Sequence, residues 1–301
     1  MEYMRETDME QTADFSRRAL EKALKNKEVL CARALVYEKG VGLHFNLGGY
    51  RAVMPTEEVS FSADGTPAKE VAVVTRVNKN VCFVITGADF NAQQPTLTIS
   101  RRIAQKMAYD GYISKLKAGD VIPCTVTHVD NFGVFCDIAM GISALMPIDF
   151  ISVSRINSPA DRFSPGDKIF ACVKSTDSQG RIVLTHKELL GTWMQNAEMF
   201  TPLTTVSGIV RSIESYGIFI ELAPNLAGLA EVCEGIQVGQ KVNVYIKSIL
   251  PDKMKVKLVI MSIDKADDTL SPIKYFITSG HIDSWVYSTS NSKKQIKTDF
   301  I

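Results

Sequence analysis

Asp130–Ile138 reads DNFGVFCDI. Extended as a strand, it alternates Val134, Cys136 and Ile138 onto one apolar face. The same alternation places Phe135 on the opposite face, beside Asp137, where water is expected. Phe132 stands three residues earlier, across Gly133. Rings three apart face opposite sides of a regular strand, but a glycine between them lets the chain turn from loop into strand. Phe132 can then swing onto the face of Phe135. Exposed rings call for a flat partner. A nucleic-acid base has a π-face and stacks on any aromatic, at about 1–3 kcal/mol per base.

The pattern recurs along the chain. SYGIFIEL (Ser215–Leu222) has the same layout, with Ile218, Ile220 and Leu222 inward, Phe219 and Glu221 outward, and Tyr216 before the glycine. A fainter copy is KGVGLHFNL (Lys39–Leu47), where His44 takes the place of Phe135 and Phe219. Each copy follows a strand: ALVY, CTVTHV or GIVRSI. Each precedes another short one: AVMP, ALMP or GLAE. PGDKIFACVKS and VGQKVNVYIKS then match closely, and each unit ends in a β-rich arm, LTISRR, RIVLTHK or KLVIMS. Five short strands in each unit suit a small, strongly curved barrel, because closure hides the sheet edges.

The segments around these units look helical. Asp14–Lys25 is amphipathic, Arg101–Lys117 has helical spacing weakened by Gly111, and His186–Phe200 is similar. The insert Val59–Asn80 carries a strand-like VAVVTRV. In the tail, Ser271–Ile301, a Ser279–Gly280 turn between aromatic runs suggests a hairpin, with Asn291–Ile301 frayed. Met1–Lys25 is either a tether or a helix packed on the first barrel.

The chain has 301 residues, 46% apolar and 22% charged, with a net charge of +1. That composition is of an ordinary globular protein, and any polyanion site must come from local arrangement. No apolar run reaches the roughly 18 residues of a membrane span. The first twenty residues are charged throughout, unlike a signal peptide, so a cytoplasmic location is expected. Six scattered cysteines without a CxxC pair read as reduced thiols at strand positions. The four histidines lie far apart without metal-ligand spacing, and no cofactor is called for. GVGLHFNLGG lacks the Lys-Ser/Thr ending of a phosphate loop, and no catalytic constellation emerges.

Gly119–Lys187 resembles the S-one RNA-binding domain, the OB-fold repeat of the largest small-subunit ribosomal protein. The third unit resembles it too and the first weakly; the three-unit arrangement is similar to the short Gram-positive homologues. The resemblance implies a mainly β fold: three tandem five-stranded OB-fold (S-one-type) barrels joined by short helical linkers. The implied division is an N-terminal helix (1–25), a degenerate barrel (26–104) with its insert (59–80), and a helical linker (105–116). A barrel (117–188), a linker (189–199), a third barrel (200–265) and an extension (266–301) follow.

By the same resemblance, Phe132, Phe135, Asp177 and Arg181 correspond to the binding face in the second unit, and Tyr216 and Phe219 in the third. Pro55, Pro147 and Glu231 replace the family's histidine, and no single third-unit residue can be equated with its arginine. In the first unit only His44 can serve as an aromatic. Lys174 in the second unit, and Arg211, Lys247, Lys255 and Lys257 in the third, are the cations expected to meet phosphates. Asp137 and Glu221 are expected to be solvating or turn-stabilising residues, and His128 and His186 to be ordinary surface residues.

The expected function is binding of single-stranded RNA, as mRNA in translation, without catalysis. The implied partner is the small ribosomal subunit; no membrane is involved, and the protein is a monomer off the ribosome. A non-ribosomal RNA-binding regulator or decay factor, and a protein-interaction scaffold, are the alternatives.

Overall fold

A computed structural model describes residues 3–62, 65–66, 68–264 and 273–300. The expected boundary at 265–266 and the start of the tail at Ser271 lie outside them. Backbone contacts divide the chain into two units, one of residues 1–116, 136–144 and 176–182, the other of the remainder.

In the first unit, helix α1 (Arg17–Asn26) starts where the Ser16 hydroxyl accepts from the Ala19 amide, later than the expected Asp14. Its apolar side, with Leu20 and Ala23, is buried in the core of the first sheet. Strands β1 (Leu30–Arg33), β2 (Val36–Glu38), β3 (Gly42–Leu47), β4 (Tyr50–Pro55), β5 (Asn80–Asp89) and β6 (Thr96–Ser100) form that sheet, with α2 (Glu70–Val74) between β4 and β5.

The order β1-β5-β6-β4-β3-β2 is a six-stranded sheet, the degenerate form of barrel expected of the first unit. Its two edges are consecutive in the chain. The strand that would close the barrel is broken at Ala34–Leu35, whose amides donate to the carbonyls of Lys79 and His44. The strand expected in the insert is instead the single helical turn α2, enough to plug Val73 into the core while Val71 stays exposed.

Helix α3 (Arg101–Gly111) is capped by Ser100 and stops at Gly111, short of the expected Lys117. The second unit of sequence gives β7 (Val121–Asp130), β8 (Gly133–Ala139), β9 (Ile142–Pro147), β10 (Lys168–Thr176) and β11 (Ile182–Thr185), a closed barrel in the order β10-β11-β9-β8-β7. After the short helix α4 (Trp193–Ala197), β12 (Thr205–Glu214), β13 (Gly217–Ala223), β14 (Leu226–Ala230), β15 (Lys241–Leu250) and β16 (Lys255–Ile263) close another in the order β12-β13-β14-β16-β15. Both barrels place their fifth strand parallel to the third. The side chains expected inside, Val134, Cys136, Ile138, Ile218 and Ile220, are buried. Leu222 is half-buried, because the register shifts between Glu221 and Ala223.

The same contact recurs at the start of each second strand. A Cβ on Gly42, Gly133 or Gly217 would lie under 3.0 Å from the carbonyl oxygen of Met54, Met146 or Ala230 on the third strand. Only glycine lets the two backbones cross that closely.

The tail is ordered differently from the expected hairpin. Strand β17 (Ser284–Val286) pairs with β18 (Lys297–Asp299), and Phe300 is buried where fraying was expected. Ile282, Trp285, Tyr287 and Phe300 join Trp193 and the third barrel in one apolar cluster. His186 is fully buried, a correction to its expected surface position. Its Nδ1 is 3.0 Å from the Ile151 carbonyl and its Nε2 3.0 Å from the Tyr275 hydroxyl. Burial lowers its pKa to about 4, so it stays neutral. Five of the six cysteines are buried and free; Cys233 is exposed.

Asp137 and Glu221, expected to be solvating or turn-stabilising, are 2% and 5% exposed. Asp137 accepts from the backbone amides of Thr7 and Gly141. Beside it, Glu6 makes a bidentate pair with Arg101, 2.7 Å from both Nε and Nη2. Burial raises the pKa of Glu6, but Arg101, Arg76 and the Cys82 amide outweigh it and hold the carboxyl below its ordinary value. Burial, and then the Glu6 charge, raise Asp137 from 3.8 to about 6, against those two amides and Arg101.

Two outcomes follow. Gly133→Val should cost about 3 kcal/mol, read as a lower urea midpoint at unchanged slope. Because Asp137 holds its proton more tightly folded than unfolded, its contribution to stability declines as pH rises from about 4 to about 6 and stays flat above. Glu6 acts oppositely, losing its contribution as pH falls below the ordinary glutamate value of 4.5. Carbon-13 NMR of the Asp137 carboxyl should titrate near 6; a midpoint at 3.8 removes the assignment.

Candidate nucleic-acid interface

Alternation along β8 and β13 turns Phe135 and Phe219 outward, and both are half-buried rather than sealed. Each carries an exposed ring at its side. Phe132 is 52% exposed and stands edge-to-face on Phe135, centroids 5.9 Å apart at 88°. Tyr216 is 68% exposed and stands on Phe219 at 6.1 Å and 88°. The near-identity of the two pairs follows from a shared backbone: a glycine against the third strand, then one residue inward, then the ring. The Phe132 loop is pinned by its carbonyl, which accepts from the Ile148 amide at 2.9 Å.

A third ring joins the second barrel's pair. His128, on β7, is exposed and stacks on Phe135 at 6.2 Å and 28°. It was expected to be an ordinary surface residue. The repeat held the clue: His128 aligns with Ser212 of GIVRSI, and Ser212 pairs directly with Phe219.

Register sets out the rest of the third barrel's face. Ser212, Phe219, Leu229, Lys257 and Ser248 are successive cross-strand partners over β12, β13, β14, β16 and β15. With strands about 4.8 Å apart, Lys257 lies about 10 Å from Phe219 across the sheet. Lys255 and Lys257 share one face of β16 and are exposed, as is Lys247 on β15. Leu145 pairs with Val183 in the second barrel as Leu229 pairs with Lys257 in the third. Two residues before Val183 is Arg181, and two before Lys257 is Lys255. Register therefore supplies the counterpart of the arginine that sequence alone left unassigned. Arg181 itself is 70% exposed, its Nε 2.7 Å from Asp177.

Three of the expected contacts are elsewhere. Arg211 is buried, its Nε 2.8 Å from Glu221 and its Nη1 3.4 Å from Asp161. A register shift between Val210 and Ser212 falls at this residue, and Glu221 and the turn at Asp161 cover it. His44 is also buried, with Nε2 2.8 Å from Glu38 and Nδ1 3.5 Å from Arg51, so its ring offers no open face. Lys174 is half-buried, with its Nζ over the ring of Phe300 at 5.1 Å. Among the described residues no helix is long and apolar enough to cross a membrane.

Known proteins share this arrangement of sequence. Residues 115–187 match the S1 RNA binding domain family. The chain is 26% identical over 243 residues to the small ribosomal subunit protein bS1 of Leuconostoc lactis, covering 74% of this chain and 54% of that protein. It is 26% identical over 295 residues to the small ribosomal subunit protein bS1 homolog of Bacillus subtilis, covering 96% of this chain and 74% of the homolog. A crystal structure of a multidomain protein with nucleic acid binding domains from Streptococcus pneumoniae is 14% identical with a TM-score of 0.27, covering 81% of this chain and 75% of that one. The chain thus spans about half of one of these curated relatives and three quarters of the other. The S1 RNA binding domain match lies on the second barrel, the same ring pair is built again on the third, and over most of its length the chain is similar to bS1 ribosomal proteins.

Proposed function

We propose that this chain binds single-stranded RNA without chemistry, through the ring faces of its second and third barrels. The observation that carries the reading is the pair of edge-to-face aromatics, repeated with the same geometry and left open to solvent. A base laid on Phe135 meets Phe132 on one side and His128 on another. In the third barrel, Lys257 and Lys255 stand where a backbone crossing the strands carries its phosphates, and Lys247 adds charge nearby. Rings for bases and cations for backbone are the two elements of sequence-tolerant binding on an OB barrel. Asp177 and Arg181 belong to the second barrel's contacts in this reading, and the first sheet, with His44 covered, contributes least.

The role proposed is that of the bS1 relatives' class: holding mRNA at the small ribosomal subunit, in the cytoplasm, as a monomer when off the ribosome. The open rings oppose the scaffold alternative, which needs them buried between domains. Co-sedimentation with small subunits under gentle salt separates a ribosomal protein from a free RNA-binding regulator.

Fluorescence anisotropy with a short unstructured RNA tests the site. Phe135→Ala and Phe219→Ala should each weaken binding by about 1–3 kcal/mol. Retention of full affinity by the double variant would falsify the ring-face reading. Lys255→Ala and Lys257→Ala should each make the salt dependence shallower, by roughly 0.7 in log–log slope per lost contact. Arg211→Gln should instead lower thermal stability by about 3 kcal/mol, because it takes one partner from a buried carboxylate.

A further inference from the structure

Two residues along β13 from the ring of Phe219, the third barrel carries a concavity. A cavity of about 300 Å³ is lined by the turn at Asp161 and Arg162, by β12 and β13, and by the start of β15. Arg162 and Arg211 are both 7% exposed. They converge on one atom: Glu221 Oε2 is 2.6 Å from Arg162 Nη2 and 2.8 Å from Arg211 Nε. A single carboxylate oxygen cannot satisfy two guanidinium forks. Arg162 Nε and Arg211 Nη2 remain buried with no hydrogen-bond partner. Such orphaned donors are costly, and each calls for an acceptor.

The other buried guanidinium shows what a purely structural cluster looks like. Arg101 gives Nε and Nη2 to Glu6, Nη1 to the Val59 carbonyl, and Nη2 also to the Gly141 carbonyl. All three of its nitrogens are occupied. The pair over Glu221 differs in having unpartnered nitrogens, and both arginines line a cavity. Lys241 is a third cation on the wall, with Asp264 3.7 Å from its Nζ. Against these three cations stand three carboxylates, Asp161 and Glu221 in the lining and Asp264 beside Lys241. The remaining wall is apolar, with Ile209, Leu222, Pro224 and Ile273.

We propose that this cavity is a binding site for a small phosphorylated organic molecule. Its phosphate oxygens would meet Arg162, Arg211 and Lys241, and its body would lie against the apolar wall. Planar guanidinium forks match phosphate oxygens two at a time, which favours phosphate as the anion. The volume is at the small end for ligand pockets, so the body is compact, about that of a nucleoside monophosphate. An RNA strand does not fit this reading, because the arginines are nine-tenths buried while the open rings serve the strand. The site is independent of the RNA proposal and stands or falls separately.

Calorimetry on the full chain tests it with AMP, inorganic phosphate, adenosine and malonate as probes. AMP should bind saturably and raise the melting temperature, inorganic phosphate more weakly, and adenosine not at all. Lys241→Gln should weaken AMP about tenfold, the effect of one charge-assisted hydrogen bond. Ala160→Trp, a change at an exposed lining position away from the core, should abolish AMP binding while leaving affinity for a short RNA unchanged. No saturation by AMP in the millimolar range overturns the proposal. So does AMP binding that both variants leave intact, or malonate binding as tightly as AMP, which would mark a general anion or water site.

Discussion

One close approach governs the two barrels and the broken one. The second strand of each repeat begins so near a carbonyl of the third that no side chain fits between them, and glycine stands at Gly42, Gly133 and Gly217. That contact fixes where alternation starts. Counting from the glycine, odd steps enter the core and the second step faces out, so a ring at that step cannot be drawn inward without moving the whole strand. Phe135 and Phe219 are therefore held outside by the register of the barrel, not by local preference. In the first repeat the same phase presents His44, but Glu38 and Arg51 close over it.

Four steps after the glycine comes an acid, Asp137 or Glu221, and there the outer surface is no longer open. Asp137 is covered by backbone from the N-terminal segment, with Glu6 and Arg101 beside it. Glu221 is covered by Arg162 and Arg211. A buried carboxylate survives only with partners, since the loss of hydration must be matched by charge and hydrogen bonds. The outer face of each second strand is thus divided within two residues: a ring in solvent, then an acid under protein. The two solutions differ in completeness, with every Arg101 nitrogen occupied and the pair over Glu221 left short of acceptors beside a cavity.

The segments between and after the barrels add a further apolar layer. Trp193, from the connector, and Trp285, Tyr287 and Phe300, from the tail, share one cluster with the third barrel. The Trp193 amide donates to the Tyr287 carbonyl, and the Tyr287 hydroxyl to that of Asn225. Lys174 is drawn to the same place by the ring of Phe300. A residue that alternation assigns to solvent on a strand is diverted when a distant segment offers it a partner.

The sequence by itself determined the repeats, the strand phase, the inward residues and the two ring pairs. All of these rest on period-two alternation within a few neighbouring residues, which a strand must obey whatever lies around it. It also located helices α1 and α3, whose starts are set by caps at Ser16 and Ser100, whereas the expected helix His186–Phe200 is reduced to the five-residue α4. Tertiary structure decided the rest. Glu221 and Asp161 took Arg211 off the surface, the cross-strand neighbour brought His128 to Phe135, and register matched Lys255 to Arg181. The burial of Asp137, Glu221 and His186 required segments far away in the chain. Those outcomes depend on which strand or loop lies opposite a side chain, and one strand's periodicity carries no information about its neighbours.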